Sequence, residues 1–86
     1  MINLLTHTSE DLNYQPEQLL DALRKCLKLK SDAALSLRLN VAPPVISKIR
    51  GHRMPVGPTL LLRMHEESEI SIKDLRALMG DHRPHF

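Results

Sequence analysis

Aliphatic side chains recur every three or four positions from Leu19 to Met79, and chain breakers interrupt the recurrence before any stretch exceeds about a dozen residues. That spacing puts apolar groups on one face of a helix, so the chain is restricted to short amphipathic helices, and no run makes a convincing strand. Pro16 suits a first helical position and Glu17 a first turn; Leu19, Leu20, Leu23, Cys26 and Leu27 then line one face. Ser31 is a good N-cap with Asp32 behind it, and Ala34, Leu35 and Leu39 supply the buried side of a second helix. Asn40 should stop that helix, because asparagine tolerates the left-handed backbone. The third helix reads PPVISKIRG, where the prolines forfeit donors that a first turn leaves unpaired anyway; Ile46 and Ile49 face inward and Gly51 ends it.

The same logic predicts a fourth helix over 57–68 on Leu60, Leu61 and Met64, and a fifth over 71–79 on Ile72, Leu75, Leu78 and Met79. Ser71 can cap the fifth helix, with Asp74 three residues on in a capping-box-like pattern, and Gly80 ends it. The expected architecture is all-α, a compact five-helix bundle over residues 15–80. An irregular segment, 1–14, precedes it and a polar tail, 81–86, follows. Eighty-six residues give one domain with a modest core and need no metal or disulfide staple.

Charge is unevenly distributed along the chain. Residues 1–23 carry Glu10, Asp11, Glu17 and Asp21 and no Lys or Arg, a net −4. Residues 24–53 carry Arg24, Lys25, Lys28, Lys30, Arg38, Lys48, Arg50 and Arg53 against Asp32 alone, a net +7. Residues 54–86 sum to −1. A basic block attracts polyanions by releasing their counterions, and nucleic acid is the commonest such partner. A solvated lysine-rich face is the alternative that charge alone leaves open.

Composition narrows the partner class. Tyr14 and Phe86 are the only aromatic residues, which weakens single-strand or RNA binding on stacked rings. The single cysteine, Cys26, cannot form an internal disulfide; on the apolar face of the first helix it is expected to be an inert buried thiol in a reducing cytoplasm. No signal peptide and no membrane span are expected. The histidines show no zinc-site spacing, since only His82 and His85 are close together, and no phosphate loop or activated nucleophile is evident. The expectation is therefore a non-enzyme with no cofactor and no metal.

Leu35, Leu39, Val41, Ile46 and Ile49, the small Ser36, the turn residue Asn40 and the segment APPVISKIRGHRMPVGPTLLLRM together resemble the lambda-repressor/Cro-like helix-turn-helix superfamily. Asn40 stands where that motif usually has glycine. The resemblance covers about residues 17–79 and implies a lambda-repressor-like bundle with a central helix-turn-helix, whose helix 43–51 enters the major groove of double-stranded DNA. With Ile46 and Ile49 in the core, Ala42, Pro43, Pro44, Ser47 and Lys48 would face the bases, Lys48 donating to guanine and Ser47 to several acceptors. The prolines depart from the polar residues that phage repressors often place there; they offer apolar contact, as to thymine methyl groups, or serve only as a rigid helix start. Arg50, His52 and Arg53 would touch phosphates, and Lys30 and Ser31 would hold the backbone at the start of the second helix. For Arg53 the alternative is a loop salt bridge, and for Lys30 and Arg50 it is plain solvation.

The resemblance further implies a homodimer on half-sites about 34 Å apart, meeting through the fifth helix and tail. The expected function is a cytoplasmic, sequence-specific transcriptional regulator, a repressor that works by occupying a promoter. Two alternatives stand beside it: the antitoxin of a toxin–antitoxin pair with autoregulatory DNA binding, and a protein-interaction adaptor that kept the fold without DNA binding. Leu37 and Leu62, off the main apolar stripes, are either scattered surface leucines or part of a contact with another protein.

Overall fold

Pro16 opens the first helix, as its ring favours: φ is preset for a helix and no donor is wasted. The computed structural model describes residues 14–80; the expectations for 1–13 and for the tail 81–86 lie outside the described residues. Within 14–80 the chain is all-α, with no strand. Helices α1 (Pro16–Leu27), α2 (Asp32–Arg38), α3 (Pro43–Arg50), α4 (Pro58–Ser68) and α5 (Ile72–Leu78) follow one another through short connections.

The helix ends follow local chemistry. Ser31 Oγ accepts from the Ala34 N–H at 3.1 Å, and Ser71 Oγ accepts from the Asp74 N–H at 3.0 Å, so both expected serine caps form. Four helices are followed by a residue with positive φ that is not glycine: Lys28 (58°) after α1, Asn40 (58°) after α2, His52 (62°) after α3 and Glu69 (63°) after α4. At Lys28 the backbone N–H turns back onto the carbonyls of Arg24 and Lys25, which are otherwise unpaired at a helix end. The Gln15 N–H donates to the Met79 carbonyl at 2.8 Å and ties the start of α1 to the end of α5.

One core joins all five helices. Leu19, Leu20 and Leu23 of α1 meet Leu35 and Leu39 from α2 and its end, Ile46 and Ile49 of α3, Leu60, Leu61 and Met64 of α4, and Leu75 and Met79 from α5 and its end. Val56, from the loop between α3 and α4, is also buried; lying outside any periodic run, it escapes the sequence reading. Tyr14, Leu29, Met54 and Ile70 pack on the core from the connections.

Two expectations need correction. Cys26 is exposed, not buried. It lies on the helical stripe of Leu19 and Leu23, but at the last turn of α1 no neighbouring element covers it. Leu78 is 38% exposed, because it falls roughly a quarter turn away from the line of Leu75 and Met79. Gly51 ends α3 as expected, with φ −87°, and the left-handed residue is the following His52, φ 62°. Leu37 and Leu62 are exposed, as their positions off the stripes imply.

Candidate nucleic-acid interface

Helices α2 and α3 pack more extensively on each other than any other helix pair. Ser36 makes that approach possible. Its side chain is small and fully buried, and its hydroxyl donates to the Ala33 carbonyl at 2.7 Å, so no polar atom there is stranded. The four-residue turn 39–42 relies on the left-handed Asn40, after which the Val41 N–H returns to the Ser36 carbonyl at 2.9 Å. Arg63, reaching over from α4, donates through Nη1 to the carbonyls of Leu39 (3.3 Å) and Asn40 (2.8 Å). A guanidinium thus neutralises the carbonyl end of α2 and fixes the turn to the rest of the bundle.

Ile46 and Ile49 hold α3 against the core, so its rotation is set. The outward side carries Ala42, Pro43, Pro44, Ser47 and Lys48, all exposed. Pro43 and Ser47, like Pro44 and Lys48, stand one turn apart and form adjacent rows along that side. Just beyond, Gly51, His52 and Arg53 are also exposed, in a turn closed by the Arg53 N–H on the Lys48 carbonyl at 2.8 Å.

Arg50 does not join that outward set. Its Nε and Nη2 each donate to a different oxygen of Asp32 at 2.9 Å, a bidentate pair, and Nη1 donates to Asp21 at 3.0 Å. The hydrogen bonds that Arg50 donates to Asp32, partly opposed by burial and reinforced by those to Asp21, hold the guanidinium above its ordinary pKa. Arg50 therefore links the end of α3 to the first turn of α2 and to the middle of α1. The alternative of a plainly solvated Arg50 gives way to a structural clamp. Arg24 approaches the same Asp32 at 3.7 Å and donates to the Lys30 carbonyl, while Arg38 pairs with Glu67 on α4 at 2.6 Å.

His52 is engaged too. Its Nε2 lies 2.8 Å from Glu17 Oε1, and because a carboxylate only accepts, the ring N–H donates. The Tyr14 ring meets the imidazole edge-on at 5.9 Å. Glu17 is held below its ordinary carboxylate pKa, first by a backbone hydrogen bond at the start of α1 and then by His52. Spacing does not reveal partners 18 to 35 residues apart in sequence, which is why the roles of Arg50 and His52 were illegible.

The remaining cations of the basic stretch 24–53 are Lys25, Lys28, Lys30, Lys48 and Arg53. All are exposed, and none has an ion-pair partner among the described residues. The basic block thus divides by residue type and place. Three arginines brace the helices inward, while four lysines and Arg53 face solvent. The Arg50–Asp32 pair brings Lys30 and Ser31, at the start of α2, to the neighbourhood of the end of α3.

No protein-family model matches this chain, and neither the curated proteins nor the solved structures contain a significant match. Among the described residues, no helix is long and apolar enough to cross a membrane.

Proposed function

We propose that this chain is a sequence-selective, double-stranded-DNA-binding transcriptional regulator of the lambda-repressor-like helix-turn-helix type, acting as a repressor through α3. One observation carries this reading. The outer side of α3 is exposed and has solvent-facing cations at and beyond its end, while its inner side is anchored by Ile46, Ile49 and Arg50. A rigid helix with a free outer row fits a major groove, which admits one α-helix. Lys48 is the base-contacting candidate, and Lys30 and Arg53 are the phosphate-contacting ones. Arg50 and His52 act indirectly, by holding α3 and the following loop in place.

The test is fluorescence anisotropy of the purified, folded protein on labelled duplexes, including its own upstream DNA and a scrambled control, across a salt series. Selective, salt-dependent binding is the expected result. Lys48→Ala should cost about 1–3 kcal/mol on the preferred sequence and less on scrambled DNA. Arg53→Ala should weaken every duplex alike and flatten the log–log salt slope by about one unit. Absence of binding to any duplex would overturn the reading.

Leu37, 81% exposed on α2, favours a second reading: a contact with another protein, which an adaptor or an antitoxin would need. Leu78, exposed on α5, supports a homodimer through that helix. Analytical ultracentrifugation of Leu37→Ser and Leu78→Ser beside the unmodified protein separates these two surfaces.

A further inference from the structure

The outer side of α3 differs in chemistry from one end to the other. At its start, Ala42, Pro43 and Pro44 are exposed and present apolar side chains, the Ala42 N–H being the one backbone donor among the three. The prolines carry no backbone N–H, the next donor, on Val45, is already bonded to the Ala42 carbonyl at 2.9 Å, and no side chain caps the helix. This end of the outer row has almost nothing with which to hold a phosphate or donate to a base. One turn later the row becomes polar at Ser47 and cationic at Lys48, with Arg53 just past the helix. The unpaired positive charge calls for a polyanion, and the apolar start calls for an apolar group lying inside that polyanion's groove. In the major groove of duplex DNA, the apolar group that unmodified bases present is the thymine C5-methyl.

We propose, resting on the DNA-binding reading above, that Pro43 and Pro44 read thymine methyl groups while Ser47 and Lys48 hydrogen-bond base edges farther along the groove. Residues one turn apart are separated by about 6 Å along the helix, close to two base-pair steps of about 3.4 Å each. The preferred half-site therefore contains thymine about two base pairs from the guanine that Lys48 contacts. Sequence preference arises here from packed methyl groups as well as from hydrogen bonds.

The experiment starts from a duplex library with a randomised centre, from which the folded protein enriches its preferred sites. In an enriched duplex each thymine is then replaced, one at a time, by deoxyuridine, which removes the methyl group and leaves base pairing unchanged. The expected result is one or two thymines at which uracil weakens binding about three- to fivefold, the scale for burying one methyl group. The P43S/P44S double variant should bind thymine and uracil duplexes alike, and its helicity by circular dichroism shows whether it folds. Should it not fold, the uracil scan on the unmodified protein decides alone. Selective binding that is indifferent to uracil at every position would overturn the methyl readout and leave the DNA-binding reading intact. Methyl dependence seen only at cytosines, on replacement by 5-methylcytosine, would overturn the thymine assignment. A folded protein that enriches no sequence at all would overturn both.

Discussion

Arg50 holds two carboxylates from two different helices; removing it would leave Asp32 with only the longer approach of Arg24, at 3.7 Å, and Asp21 to solvent. Asp32 alone takes two of its N–H groups at 2.9 Å, and this is the geometry in which a salt bridge contributes measurably. Because Arg50 remains 30% exposed, solvent weakens the pair. Arg50→Gln should cost about 1–2 kcal/mol in urea denaturation. An unchanged midpoint would show that the clamp contributes nothing. Glu17 makes a separate, pH-dependent contribution. Its pKa in the folded protein lies below the ordinary value of 4.5, so its stabilisation is fully present above that value and drains away as pH falls through the folded one. Glu17 is 38% exposed, so the effect is small. The difference in stability between the unmodified protein and Glu17→Gln should shrink towards zero as pH falls below 4.5; a difference that does not vary with pH in that range would refute the linkage.

The elements depend on tertiary contacts as much as on their own sequences. Helix α2 is seven residues long, too short to be stable alone, and its carbonyl end is held by Arg63 from a different helix. Arg63→Met keeps the aliphatic stem and removes the donors, and should destabilise the protein by about 1 kcal/mol in thermal or urea melts. No loss would mean that water replaces the guanidinium at no cost. The helices themselves were legible because their signals are local: Pro16, Ser31, Asn40 and Ser71 do at each boundary what their chemistry favours. Periodicity was informative only while neighbours lay on both sides, which is why it misplaced Cys26 at the end of α1 and Leu78 at the end of α5. Among the candidate contact residues, the outward set Ala42, Pro43, Pro44, Ser47 and Lys48 follows once Ile46 and Ile49 are put inside. The pairing of Arg50 with Asp32 and Asp21 does not follow, since nothing local distinguishes a bracing arginine from a solvated one. Lys28 and Glu69 also adopt left-handed helix ends without the glycine or asparagine that would announce them.

On the scale of the whole molecule, the net charge of +2 says little, because position decides which charges are available. Arg24, Arg38 and Arg50 are occupied within the bundle, so within the basic stretch 24–53 the outward positive charge comes from Lys25, Lys28, Lys30, Lys48 and Arg53. In the proposed DNA-binding reading such a field would speed encounter with the polyanion and fall away with salt, and α3 would supply the shape that selects among sequences. The DNA and protein-partner readings thus call for different faces: α3 and its following loop in the first, Leu37 in the second. The most direct discrimination is an amide-resolved NMR titration of the uniformly labelled protein with a short duplex at low salt. Binding through α3 predicts shift changes concentrated at Lys30, Ser31, Ala42, Val45–Lys48 and Gly51–Arg53, with α5 unaffected. Changes confined to the surroundings of Leu37 and Leu62, or none at all, would contradict it.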